Sequence, residues 1–118
     1  MRLLDLGACF IRWGLLTLNG VGFYKTEAID KAQGVMFLCP KCFIANGGQV
    51  STHMVVCWSR NRGAPDDATP LPGRWRIEGA GLHDLTLDAE PPEHRRSIQV
   101  GSPCNAHFNV TGGEATMC

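Results

Sequence analysis

A surplus of either charge is missing from this sequence: eleven Lys and Arg offset eleven Asp and Glu, and the formal net charge is zero. A dedicated nucleic-acid binder carries a basic surplus that neutralises phosphates, so only local patches could serve that role here. Long apolar runs are missing as well. No segment approaches the roughly 20 apolar residues of a membrane helix. At the N-terminus, "MRLLDLGACFIRWGLLTLNG" sets Arg2 ahead of apolar residues, but Asp5 and Arg12 interrupt it short of the roughly 7–15 residues of a secretory core. The expectation is a protein of the reducing cytoplasm, where thiols stay free. Hydrolase signatures are absent too: there is no G-x-S-x-G, no P-loop, no H-E-x-x-H, and no His-x-Glu of the zinc deaminases.

What is present is glycine and proline, 14 and 7 residues spread through 118. They cut the chain into short apolar pieces, the pattern of a mainly antiparallel β domain. A chain of this length forms one domain, burying roughly two-thirds of its unfolded surface. Strands are expected at Ala8–Trp13, Val35–Leu38, His53–Ser59, Arg74–Glu78, Leu82–Leu87, Ser97–Val100, Ala106–Val110 and Glu114–Met117. Between the last two, Gly112-Gly113 supplies the positive φ angles of a tight hairpin. Thr26–Ala32 reads as a short helix or a turn, with Thr26 as N-cap and Gly34 beyond its end. Residues 1–31 would add a strand, or a dimerisation segment, to a core spanning 32–118. Two stretches rich in proline and charge, Arg60–Arg74 and Asp88–Arg96, read as surface loops, because proline gives a strand ladder no donor.

Cysteine carries the chemistry. "VMFLCPKCF" holds Cys39 and Cys42, and "SPCNAHF" holds Cys104 and His107 at the same spacing, each pair at a strand–turn junction. Two C-x-x-[CH] pairs are what a tetrahedral structural zinc site takes, since a tight turn lets two ligands from one short segment converge on one ion. Because residues 43–103 lie between the pairs, the ion would clip distant parts of the chain together. Cys57 and His53 are substitutes for His107 as the fourth ligand, although Cys57 alternates with Val55 and also reads as a core thiol. A redox dithiol is the competing use of Cys39 and Cys42, but it calls for a strand–helix context, and "FIANGGQ" after Cys42 reads as a loop. Disulfides or buried bystander thiols are further alternatives. Cys9 is expected on the buried side of the first strand and Cys118 as an exposed thiol; His83 and His94 are expected to be solvated.

Two segments, "WSRNRG" and "GRWRIEG", place aromatic residues beside arginines on either side of the proline-rich loop. Trp58, Arg60, Arg62, Arg74, Trp75 and Arg76 are thus candidates for a partner-binding patch, since Trp and Arg dominate interaction hot spots. The alternative places the tryptophans in the core and the arginines on solvated faces.

The segments "AQGVMFLCPKCFIANGG", "HMVVCWS", "PDDATPLPGRW" and "CNAHFNVTGGEAT" together resemble small bacteriophage and prophage proteins, a likeness that runs from Ala32 onward. The resemblance implies a zinc-ribbon-like β domain with Cys39, Cys42, Cys104 and His107 as ligands, and it implies no particular activity. The resulting expectation is a zinc-stabilised binding protein without catalysis. It would engage or inhibit a host macromolecule, such as a defence component, by protein–protein contact. The alternatives are a nucleic-acid binder using Arg60, Arg62, Arg74 and Arg76, and a metallohydrolase, which needs an open coordination position.

Overall fold

The computed structural model describes residues 1–17, 20–70, 73–91 and 95–118, with backbone alone at 15–17, 20 and 21. Among them, β1 (Cys9–Thr17), β2 (Gly20–Thr26), β3 (Gly34–Leu38) and β4 (Met54–Trp58) form an antiparallel sheet in the order β2-β1-β3-β4. β5 (Trp75–Glu78) pairs with β6 (Thr86–Ala89), and β7 (Ile98–Gln99), β8 (His107–Thr111) and β9 (Glu114–Met117) form a third antiparallel group in sequence order. The expected mainly β fold with one short helix is what the chain adopts. β2 was not expected; its strand formers Phe23, Tyr24 and Thr26 are diluted by Gly20 and Gly22, and it is held by its pairing with β1.

β3 is the central strand in the physical sense, buried on both faces except at Met36, and this explains why it reads as an unbroken apolar run. Its Phe37 meets Phe108 of β8 edge to face, ring centroids 5.9 Å apart, which joins the first sheet to the third. Leu3, Leu6, Phe10, Val35, Leu85, Leu87 and Val110 complete the core around this pair. A smaller cluster of Ile11, Trp58, Ala64 and Ala68 lies beside it.

The Gly112-Gly113 hairpin forms as expected, with φ of 57° and 82°, but Gly113 does more than turn the chain. Its N–H donates to the Leu85 carbonyl and its carbonyl accepts from the Leu3 N–H, both at 2.8 Å. A Cβ there would sit 2.1 Å from the His83 carbonyl oxygen, so three segments meet at a point where only glycine fits.

Of the two forms expected for Thr26–Ala32 the chain takes the turn, a 3₁₀ element at Ile29–Lys31 whose N-cap position is Ala28 and not Thr26. One local expectation is corrected. The expected loop after Cys42 is the helix α1 (Pro40–Asn46). Pro40 at its first position brings a preset helical φ, and Gly47, at φ 69°, closes it: the Gly47 N–H donates to the Ile44 carbonyl and the Gly48 N–H to that of Phe43. In the expected loop Arg60–Arg74, residues 60–62 form a 3₁₀ turn, while 71 and 72 lie outside the described residues. Of the expected loop Asp88–Arg96, residues 88 and 89 finish β6, and 92–94, including His94, also lie outside them.

Candidate metal centre

Cys39, Cys42, His53 and Cys104 converge, their ligand atoms all within 4.8 Å of one another, close enough to hold a metal ion. A zinc tetrahedron with Zn–S near 2.3 Å has edges of roughly 3.8 Å, and the Cys104 Sγ to His53 Nε2 separation of 3.5 Å matches such an edge. Cys39 directly follows β3 at the N-cap position of α1, and Cys42 lies within the first turn of that helix, so both sulfurs meet at the strand–helix corner. Cys104 comes from the turn between β7 and β8, where Asn105, at φ 53°, reverses the chain.

The fourth member is His53, a correction to the expected His107. The β3–β4 ladder continues one pair past its last strand residues: the Cys39 N–H donates to the His53 carbonyl at 2.9 Å, making the two residues cross-strand neighbours. His107 has left the turn and entered β8 opposite Gln99, exposed between the buried Ala106 and Phe108. The period of two in that strand directs it away from the face that Ala106 and Phe108 bury. Cys57 is no substitute either. It is fully buried in the core, and burial pushes its thiol well up.

Neighbouring groups set the ligands. His53 Nδ1 lies 3.3 Å from the Met54 carbonyl, and an N–H donated there leaves Nε2 with the lone pair that faces the sulfurs. Lys41 Nζ donates to the Cys104 carbonyl at 2.7 Å, tying the helix corner to the second turn. Asn46 Nδ2 donates to the Ser51 carbonyl and to Thr52 Oγ1, so the end of α1 anchors the segment that delivers His53.

No family model, curated protein or solved structure matches this chain. The site's chemistry is therefore read from its own groups.

Burial, followed by hydrogen bonding to Cys39 and Cys104 and their like charge, pushes the Cys42 thiol from 9.0 to about 11. Burial also acts most strongly on Cys104, upward, but the Ala106 N–H, with hydrogen bonds from His53, Cys42 and Cys39, outweighs it and brings that thiol from 9.0 to about 7. Thiols this close resist joint ionisation unless a cation sits among them. Metal affinity should consequently rise with pH. Cys42 has to lose a proton to the ion at any pH below about 11, whereas Cys104 does so only below about 7. Competition with a chromophoric chelator between about pH 6 and 9 should show a steeper slope of log affinity below neutrality than above it; a single slope throughout would contradict this assignment.

The strand–helix setting of Cys39 and Cys42 removes the reason for setting a redox dithiol aside. What distinguishes the site is the third thiol and the imidazole, which a two-cysteine redox pair does not need. All six cysteines are free, with Cys9 half-buried and Cys118 exposed.

The expected tryptophan–arginine patch does not assemble. Trp58 is 1% exposed, packs edge to face on Trp13, and donates its indole N–H to the Thr69 carbonyl at 2.7 Å. Arg74, also 1% exposed, is turned inward because the loop before β5 wraps its carbonyls around the guanidinium. Arg62 donates to the carbonyls of Ile29 and Ile77, and Arg60 to the Asp66 carboxylate and the Pro91 carbonyl. Trp75 is half-buried, its indole N–H on the Arg96 carbonyl; Arg76 is exposed. Glu90, buried beside this region, accepts hydrogen bonds from Ser59 Oγ and from the N–H groups of Arg60 and Asn61.

Proposed function

We propose that this protein is a zinc-clipped β domain that works by binding another protein. The carrying observation is the closure of three thiols and one imidazole on a single point. Soft sulfur donors in a tetrahedral S₃N set favour zinc over hard-ligand cations. Four protein ligands complete the shell, which suits a structural ion and leaves no coordination position for an attacking water. That argues against the metallohydrolase reading.

The ion's role would be mechanical. It ties the β3–α1 corner and the start of β4 to the turn before β8, segments more than fifty residues apart in the chain. The arginines proposed for nucleic acid are largely committed to carbonyls of this chain, which favours a protein partner. We propose a host macromolecule as that partner, with a defence component as the form of it.

Elemental analysis should find one zinc per chain. A strong chelator should remove it and bring the chain close to unfolding, because a cross-link closing a loop of this size removes about 4 kcal/mol of chain entropy. Circular dichroism and thermal melts check this. A protein that remains as stable without metal would refute the clip.

A further inference from the structure

β4 and β7 are outer strands of their respective sheets, and both line one cavity of about 600 Å³. That volume lies within the roughly 300–1,000 Å³ of ordinary ligand pockets. Met54, Val55 and Val56 of the first sheet and Ser97 to Gly101 of the third both line it.

The hydrogen-bond register shows what these walls offer. Cys39 N–H bonds to the His53 carbonyl and Ser59 N–H to the Gln33 carbonyl, so odd-numbered residues of β4 turn their main-chain groups toward β3. Alternation then turns those of Met54 and Val56 outward. On the other wall, Val100 N–H bonds to the Ala106 carbonyl and Ile98 pairs with Phe108, so Gln99 turns its N–H and C=O away from β8. Among the described residues, no hydrogen bond reaches the main-chain groups of Val56 or Gln99. Two strand edges thus border one space with donors and acceptors in a strand's own alternation.

The side chains narrow the occupant. Met54, Trp75, Ile98 and Val100 make the lining largely apolar. Its charged members are arginines, with Arg95 exposed, and no carboxylate lines it among the described residues. His53 directly precedes β4 and Cys104 lies in the turn after β7, so the metal ligands stand at the ends of both walls.

We propose that the groove between β4 and β7 receives an extended, acidic peptide segment of a partner protein as an added strand. The segment bonds to both edges, places apolar side chains on the lining and carboxylates toward Arg95, and joins the two sheets. The proposal rests on the reading of this domain as a protein-binding module, and it assigns that module its surface.

The test uses the protein as purified, with metal content measured on the same sample. The probe is a capped octapeptide of alternating valine and glutamate, followed by amide NMR and hydrogen exchange. The expected result is perturbation and protection of the Val56 and Gln99 amides. Binding should weaken about tenfold when the peptide's inward amides are N-methylated, and likewise with Val56→Pro, which removes a donor that β3 does not use. Arg95→Glu, at an exposed position, and a valine–lysine peptide should both weaken binding with metal content unchanged. Equal binding of the two peptides, perturbation elsewhere, or no perturbation would overturn the groove. So would protection of these amides that grows with protein concentration alone, which would mark the edge as a contact between copies of this chain. Full metal content without peptide binding refutes the groove and spares the clip; peptide binding without metal does the reverse.

Discussion

His53→Ala should lower metal affinity by more than the roughly 10–100-fold that loss of an outer-shell partner costs, while His107→Ala leaves affinity and metal content unchanged. The two histidines differ in place, not in chemistry. His53 Nε2 is 3.5 Å from Cys104 Sγ, and its partner across the ladder is Cys39, whereas His107 is exposed in β8 opposite Gln99. Cobalt substitution gives the readout, since absorption in the visible range reports a tetrahedral site with thiolate ligands. The His53→Ala protein should also melt at least about 10 °C lower, if losing the ion releases most of a 4 kcal/mol constraint. His107→Ala should melt with the parent protein, because nothing buried depends on that side chain. If His107→Ala loses the metal and His53→Ala keeps it, the register-based assignment is wrong.

Three of the four clustered residues were legible in the sequence, because a C-x-x-C pair beside proline and a further cysteine after proline are local signals. The fourth, His53, was open only as a substitute for His107, and the reason it was not preferred is geometric. Matching the spacing of Cys104 and His107 to that of Cys39 and Cys42 treats both pairs as knuckles, but Asn105 ends the turn and Ala106 enters the core, which commits His107 to a strand. His53 joins the cluster through antiparallel pairing, a long-range fact. A signal existed nevertheless: setting "GVMFL" antiparallel to "MVVCW" with a single connecting loop brings Cys39 and His53 opposite each other. The helix after Cys39 was also signalled, by Pro40 and Gly47 at its two ends. Its seven residues are too few for periodicity to declare it, and the paired glycines that follow dominate the local reading.

Strands with concentrated apolar residues, such as β3, β4, β8 and β9, lie where alternation and the Gly-Gly turn put them. The arginine-rich segments misled for a different reason. Composition shows that a cation is near a loop, and it does not show which way the cation faces. In "PDDATPLPGRW" the Ala68 N–H bonds back to the Pro65 carbonyl, and the guanidinium of Arg74 at the loop's C-terminal end turns in to serve the carbonyls of Asp66, Ala68, Pro70 and Gly73.

That reversal of roles leads to the second large effect. Arg74→Ala should destabilise the protein by about 3–5 kcal/mol, since several carbonyls lose a donor at about 1–3 kcal/mol for each one left unsatisfied and the missing side chain leaves a void. The Arg74 guanidinium donates to the carbonyls of Pro65, Asp66, Ala68, Pro70 and Gly73, a fan of acceptors along one loop. Truncation leaves those carbonyls without their donor and opens a void beside Ala64 and Ala68, which pack on Trp58. Arg74→Lys should recover little, because an ammonium is a point charge with three donors and cannot span acceptors that a planar guanidinium reaches from its edges. A solubility or binding role on the surface predicts the opposite: near-neutral stability for Arg74→Ala and good rescue by lysine. Chemical denaturation separates the two. The Trp58 indole N–H adds a local probe, since its acceptor is the Thr69 carbonyl within the same loop. Its NMR resonance should shift and its exchange quicken in Arg74→Ala even under native conditions, before the rest of the sheet opens. A cost below about 1 kcal/mol with that resonance unmoved would mean that the loop holds itself, and that Arg74 only occupies the space.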